Sequence, residues 1–254
     1  MSCNFFSLSR ELRDQIYELV LLHQELIDPW VDYYLRPKLT LELLHVNKTI
    51  HREASSLFYA QNRFDFTTRT PEDVASFLGQ IGRNNADYIR HICVDFPKFL
   101  YLEPGDVTLE DDSVVTLEDD SVSILANIQS RCANLSTLTT SLYSTNAMEL
   151  RLDALDNPKV VIEALKLVNT HFRAISSLQE IIVEVYEDGP SDHIRRKMES
   201  HGWTISIAEY VEEDSDRNFS DLGNDDYGYH RSGDDDDHNY DFDNDSDFWR
   251  RAAD

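Results

Sequence analysis

Three features of this sequence predict an α/β fold with a helical start, a short and mostly parallel sheet, and a disordered acidic tail. An amphipathic helix opens the chain between Phe6 and Leu22. Beyond residue 70, segments of helical period alternate with short β-type runs, and each crossover is too long for a hairpin, which favours parallel strands. The formal charge of −25 is also uneven: residues 212–254 hold sixteen acids against four arginines, a net −12. Such a segment repels itself and lacks the aliphatic surface that would offset chain entropy.

In the opening stretch, FSLSRELRDQIYELVLL, Leu8, Leu12, Ile16 and Leu19/Val20 recur at helical spacing, with Glu11, Arg13, Asp14 and Glu18 expected to face water. Ser7 or Ser9 is placed to cap the first turn. Pro29 and Pro37 interrupt the next stretch. A second helix is expected from about Leu41 to Ala60, striped by Leu43, Leu44 or Val46, Ile50, Ala54 and Leu57/Phe58, and NRFDF after it alternates like a short strand. Thr70-Pro71-Glu72-Asp73 is a capped helix start; Val74, Phe77, Leu78 and Ile81 give the face, Gly82 the stop, and HICVDF a strand. The rhythm repeats. A helix from Ser121 to Cys132 precedes LSTLTTSLY, a helix starting at Asn157-Pro158 leads to LQEIIVEVY, and one from Ser191 to Gly202 precedes WTISIAEYV. The spacing is too irregular for a regular solenoid. The expected divisions are a helical region over 1–66, a helix-strand region over 67–211 continuous with it, and the tail over 212–254.

With 41% of 254 residues apolar, the chain can bury one good core, and two domains are the upper limit. Arg10, Glu11, Arg13, Asp14 and Glu18 leave no uncharged segment of signal-peptide length, and no apolar run approaches the roughly 18 residues of a membrane span. Cys3, Cys93 and Cys132 are odd in number and widely spaced, which argues against a disulfide framework or zinc site. The expected compartment is cytoplasm or nucleus, with no membrane partner.

Signals for chemistry are sparse. Eight glycines form no phosphate loop, and Gly79-Gln80-Ile81-Gly82 reads as a helix end. The nine histidines include no H-E-x-x-H, and His51 and Glu53 stand two apart, on different sides of a helix. Cys93, between Ile92 and Val94, reads as a half-buried small apolar residue rather than a nucleophile. Neither an enzyme nor a cofactor nor a metal is expected. Direct binding to nucleic acid is disfavoured, since no Lys/Arg stripe offsets the negative charge. The octapeptide VTLEDDSV occurs at Val107–Val114 and again at Val115–Val122. It reads as a duplicated acidic loop, with a docking or phosphorylation segment around Ser113 and Ser121 as the sharper reading.

In the tail, DFDNDSD alternates oxygens as a calcium loop does, but Phe248 stands where the turn demands Gly, so weak cation condensation is the better reading. Tyr227, Tyr229, Tyr240, Phe242, Phe248 and Trp249 are set among the acids. That composition suits an unfolded segment that grips basic proteins such as histones, through Tyr240, Phe242, Phe248 and Trp249 above all; a merely solubilising tail is the plainer alternative.

The first 66 residues resemble the F-box, and more closely an F-box-like family abundant in filamentous fungi. Leu8, Glu11, Leu12, Ile16 and Val20 occupy the places of its opening helix; Leu43, Leu44, Asn47, Lys48, Ile50, Glu53, Ala54, Leu57, Tyr59, Asn62 and Phe64 fit the second half of its pattern. Ser9 replaces the family's proline, and Ile50 stands where many F-boxes carry tryptophan. CANLSTLTTSLY and ISSLQEIIVEVY are similar in style to the irregular leucine-rich regions that succeed many F-boxes. The resemblance implies an interaction adaptor: a Skp-type adaptor of a cullin-based ubiquitin ligase would contact Leu8, Leu12, Ile16, Val20 and Ile50, and a sheet face would recruit a substrate protein. The physical question beside it is whether the aliphatic stripe of the first helix is consumed by this protein's own core. An interaction protein with no ligase attachment, working through its acidic tail, is the alternative function.

Overall fold

The computed structural model describes residues 5–31, 41–100, 115–142, 152, 158–187 and 189–208. Helix α1 (Arg10–Leu21) starts on Ser9, whose hydroxyl accepts from the Leu12 N–H. Leu41–His45 forms a 3-10 turn, and α2 (Lys48–Gln61) begins afresh after it. The single helix expected from Leu41 to Ala60 is broken there because the Asn47 side chain accepts from the N–H groups of Thr49 and Ile50 and fixes a new N-terminus. After β1 (Arg63–Asp65), Thr70 and Asp73 form a reciprocal capping box at the head of α3 (Pro71–Gln80). Gly82 does more than stop that helix. At φ +76° it opens a second one, α4 (Gly82–Tyr88), which the sequence pattern did not announce.

The chain continues through β2 (His91–Asp95), two short strands β3 (Phe99–Leu100) and β4 (Thr116–Leu117), α5 (Asp119–Arg131), β5 (Thr137–Ser141), α6 (Pro158–Ala174), β6 (Glu180–Val185), α7 (Asp192–Ser200) and β7 (Thr204–Ile207). The second VTLEDDSV copy is not a loop. Its Thr116-Leu117 pairs antiparallel with Phe99-Leu100, its Asp119 opens α5, and the Ser121 hydroxyl accepts from the Lys98 N–H. The first copy, with Ser113, lies outside the described residues, as does the segment 212–254.

Five strands form one parallel sheet in the order β1-β2-β5-β6-β7, as the alternating pattern predicts. Spatial order matches chain order, so every crossover steps the same way, and right-handed crossovers then place their helices on a single face. Paired residues share a face, which puts Phe64, Ile92, Leu138 and Ile181 in one inward row and Val94, Thr140, Val183 and Ile205 in the next. The strands lengthen toward β6, whose Ile181, Val183 and Val185 are fully buried. At the other edge Ile27 brackets β1: its N–H donates to the Arg63 carbonyl and its carbonyl accepts from the Asp65 N–H, both at 2.8 Å. The helical start therefore shares one hydrophobic core, running from Tyr17 to Trp203, with the helix-strand region. Phe58, Tyr59 and Phe64 seal the join, with ring centroids 5.0 to 5.9 Å apart.

A Cβ added at Gly82 would meet nothing within 4 Å, so replacing it strains only the backbone. Gly82→Ala is expected to lower stability by about 1–2 kcal/mol, with Gly82→Asn losing less. Urea unfolding at constant m-value measures it.

Candidate docking surface on the N-terminal helix

Helix α1 carries two stripes. Arg13, Tyr17 and Leu21, spaced by four, face α2; Leu12, Ile16 and Leu19/Val20 lie one residue round, about 100° away. The structure buries the first stripe. Tyr17 is fully buried and Leu21 is 1% exposed. Arg13, expected to face water, instead reaches inward because Glu53 of α2 supplies its counter-charge: Nε donates to Oε2 at 2.9 Å and Nη2 to Oε1 at 2.7 Å. The Tyr17 hydroxyl donates to the same Oε2 at 3.0 Å, Arg13 Nη1 donates to the Leu8 carbonyl, and Arg10 stands 3.4 Å from Oε1. Glu53 itself is 6% exposed, so its carboxylate is charged, buried and matched by donors from one neighbouring helix.

A second clasp closes the far end. Buried Asn62 donates through Nδ2 to the carbonyls of Leu21 and Phe58 and accepts from the His23 N–H through Oδ1. It thereby caps the C-termini of α1 and α2 together. Neither Asn62 nor the Arg13–Tyr17 pair stood out by hydropathy. Only the four-residue spacing of Arg13, Tyr17 and Leu21 hinted at a second stripe.

Hydrogen bonds from Arg13 hold the Glu53 carboxyl well below its usual 4.5, at about 2, against the opposing effect of burial. Burial and the bond to Glu53 push the Tyr17 phenol up to about 12. At neutral pH the clasp is one carboxylate held by the Arg13 guanidinium and the neutral Tyr17 phenol, with Arg10 as a second, longer ion pair.

This polar attachment leaves the aliphatic stripe uncovered. Leu12 is 47% exposed, Leu19 86% and Val20 37%; Leu8 and Ile16 are half-buried. Phe6 and Val46 are exposed as well. Ile50 is different: at 4% exposure it belongs to the core, because α2 turns it with Ala54 and Leu57 into the interior, and it is not available to a partner. The backbone at Ser9 has φ −62°, the value a proline would impose. Tyr240, Phe242, Phe248 and Trp249 lie outside the described residues.

The sheet face opposite the crossover helices is polar. Its rows are Arg63, His91, Thr137 and Glu180; Asp65, Cys93, Thr139, Ile182 and Thr204; and Asp95, Ser141, Glu184 and Ser206. Cross-strand bonds knit them: His91 Nε2 lies 2.7 Å from Thr139 Oγ1, and Ser141 Oγ donates to Glu184 at 2.6 Å. Burial, helped by Arg63, lowers His91 to about 4, so it is neutral at pH 7. Burial, with Asp65 and Glu184 nearby, pushes the Cys93 thiol up to about 12, and Cys132 likewise by burial. His51 Nδ1 sits 3.0 Å from the Leu44 carbonyl. Among the described residues, no three His, Cys, Asp or Glu side chains converge as a metal would require, and no helix is long and apolar enough to cross a membrane.

No protein-family model, curated protein or solved structure matches this chain.

Glu53→Gln keeps the shape but removes the charge, and is expected to cost roughly 1.5–3 kcal/mol at pH 7. Because the folded-state value lies below 4.5, the stabilisation is complete above that pH and fades as pH falls toward about 2. The gap in urea midpoint between wild type and Glu53→Gln should therefore narrow across that window.

Proposed function

We propose that this protein is a non-enzymatic interaction adaptor whose N-terminal helix engages a Skp-type adaptor of a cullin-based ubiquitin ligase and whose helix-strand region recruits a substrate protein. One observation carries the reading: α1 is fastened by Arg13 and Tyr17 to Glu53, so its aliphatic stripe, with Leu19 at 86% and Leu12 at 47% exposure, is free for a second polypeptide. Burying one such side chain in a partner contributes roughly 1.5–3 kcal/mol. The proline-like φ at Ser9 and the structural use of the pattern residues Asn47, Glu53 and Asn62 favour the F-box-like resemblance. Leu8, Leu12, Ile16, Leu19 and Val20 are the assigned contacts. The exposed positions of the polar sheet face, Arg63, Glu180 and Thr204, are the assigned substrate surface, while its middle at Cys93, Thr139 and Ser141 is buried. The acidic, aromatic segment 212–254 favours a second reading by its composition alone, as a ligase-independent grip on basic proteins such as histones.

A pull-down with a Skp-type adaptor as bait tests the first reading. Wild type should bind, and Leu12→Asp and Leu19→Asp, both at exposed positions, should each weaken binding roughly ten- to hundredfold with unchanged thermal melts. Failure of wild type to bind removes the ligase reading. Deleting 212–254 should abolish salt-sensitive binding to histones; unchanged binding excludes the tail.

A further inference from the structure

Positive charge gathers on the last two helices of the described chain. Helix α6 holds Lys159, Lys166 and Arg173 against a single acid, Glu163, and α7 holds Arg195, Arg196 and Lys197 against Asp192 and Glu199. Six cations against three acids make the pair +3, in a chain of formal charge −25. Lys159, Lys166 and Arg173 recur every seven residues, close to two helical turns, so they line one face of α6 over about 21 Å. Glu163 and Thr170 stand between them, and all five residues are exposed, while Val161, Ala164, Leu165, Val168 and Phe172 fill the core side.

The C-terminal end of α6 is tied to the end of α7. Arg173 Nη2 donates to the His201 carbonyl at 3.3 Å, and Trp203 Nε1 donates to Asn169 Oδ1 at 3.0 Å. Burial and then the charge of Lys197 lower the His201 imidazole, which puts Lys197 in the same group as Arg173. Local acids answer little of this charge. Glu163 lies 3.8 Å from Lys166 and Asp192 3.9 Å from Arg196, both solvent-exposed pairs of small worth, and neither Arg173 nor Lys197 makes an ion pair among the described residues. The complementary charge is in the same chain. Residues 234–249 hold eight aspartates, no lysine or arginine, and the four aromatics Tyr240, Phe242, Phe248 and Trp249, whose rings also suit cations. The 25 residues between Ala208 and this stretch span at most about 80 Å, more than enough to reach α6. Attachment makes the encounter intramolecular, whereas a second copy would approach against the net repulsion of two acidic chains.

We propose that the exposed cationic face of α6, with Lys197 of α7, is the docking site for this chain's own segment 234–249, its aspartates meeting Lys159, Lys166, Arg173 and Lys197. The contact lies away from α1 and does not depend on the adaptor reading. Aspartates engaged there are withheld from any basic protein, which must displace α6 to reach them.

Carbodiimide cross-linking of the full chain at high dilution, which joins an ammonium to a carboxylate in contact with it, tests the proposal by peptide mapping. Lys159, Lys166 and Lys197 should link to aspartates of 234–249 in preference to Lys48 and Lys98, which are exposed elsewhere. The links should be lost as salt rises from about 0.01 M to about 1 M, where the Debye length falls from about 30 Å to about 3 Å. Small-angle scattering distinguishes the two states by sign: salt that releases a docked segment raises the radius of gyration, whereas salt that screens an undocked acidic one lowers it. Wild type should expand, and the double variant Lys166→Glu, Arg173→Glu, at two exposed positions, should contract with an unchanged thermal melt. Should that variant lose its fold, the lysine map of the wild type decides alone. Links spread evenly over all lysines, links found only between copies in a mixture of isotopically light and heavy chains, or contraction of the wild type with salt each overturn the proposal.

Discussion

A single buried carboxylate decides how this protein presents its N-terminal helix. Glu53 is enclosed by α2 and its neighbours and must be compensated; the donors come from Arg13 and Tyr17 of α1. Had α1 packed by its leucines, the carboxylate would stand buried without its partners. The face drawn inward is Arg13, Tyr17 and Leu21, which leaves Leu12, Leu19 and Val20 toward solvent and Leu8 and Ile16 half-buried. Asn62 then ties both helix ends together.

Much of the fold was legible in the sequence, because the signals there are local. The capping box at Thr70 and Asp73, the turn at Gly82 and the valine-isoleucine alternation of β6 each specify their own conformation within a few residues. Parallel pairing could be read from crossover length. The features that escaped were set by partners distant in sequence or by elements too short to show a period. Asn47 looks like any polar residue inside a helical pattern until its side chain is seen capping Thr49 and Ile50. The strand pair β3–β4 is two residues deep on each side, too short for any period to register.

The candidate docking surface was half legible. Leu8, Leu12, Ile16 and Val20 form a stripe in sequence, yet period alone does not say which side of a helix is buried. That depended on Arg13 meeting Glu53 forty residues away, a contact no local pattern encodes. Ile50 reads as part of the stripe with Ala54 and Leu57, and it is buried there at 4% exposure; the adaptor contact came from the resemblance alone. A cavity at the ends of β1 and β2 gave no sequence signal, being assembled from two strand ends and a helix start.

The five strands of the main sheet lie side by side in chain order. Each pairing still spans a helical crossover, with Arg63 opposite His91 and His91 opposite Thr137, so loop closure precedes every strand contact. One margin is finished, since Ile27 occupies the hydrogen-bonding groups beside β1. Among the described residues the β7 margin pairs with no further strand, so one more helix-strand module placed there would extend the sheet without reordering a single existing pair.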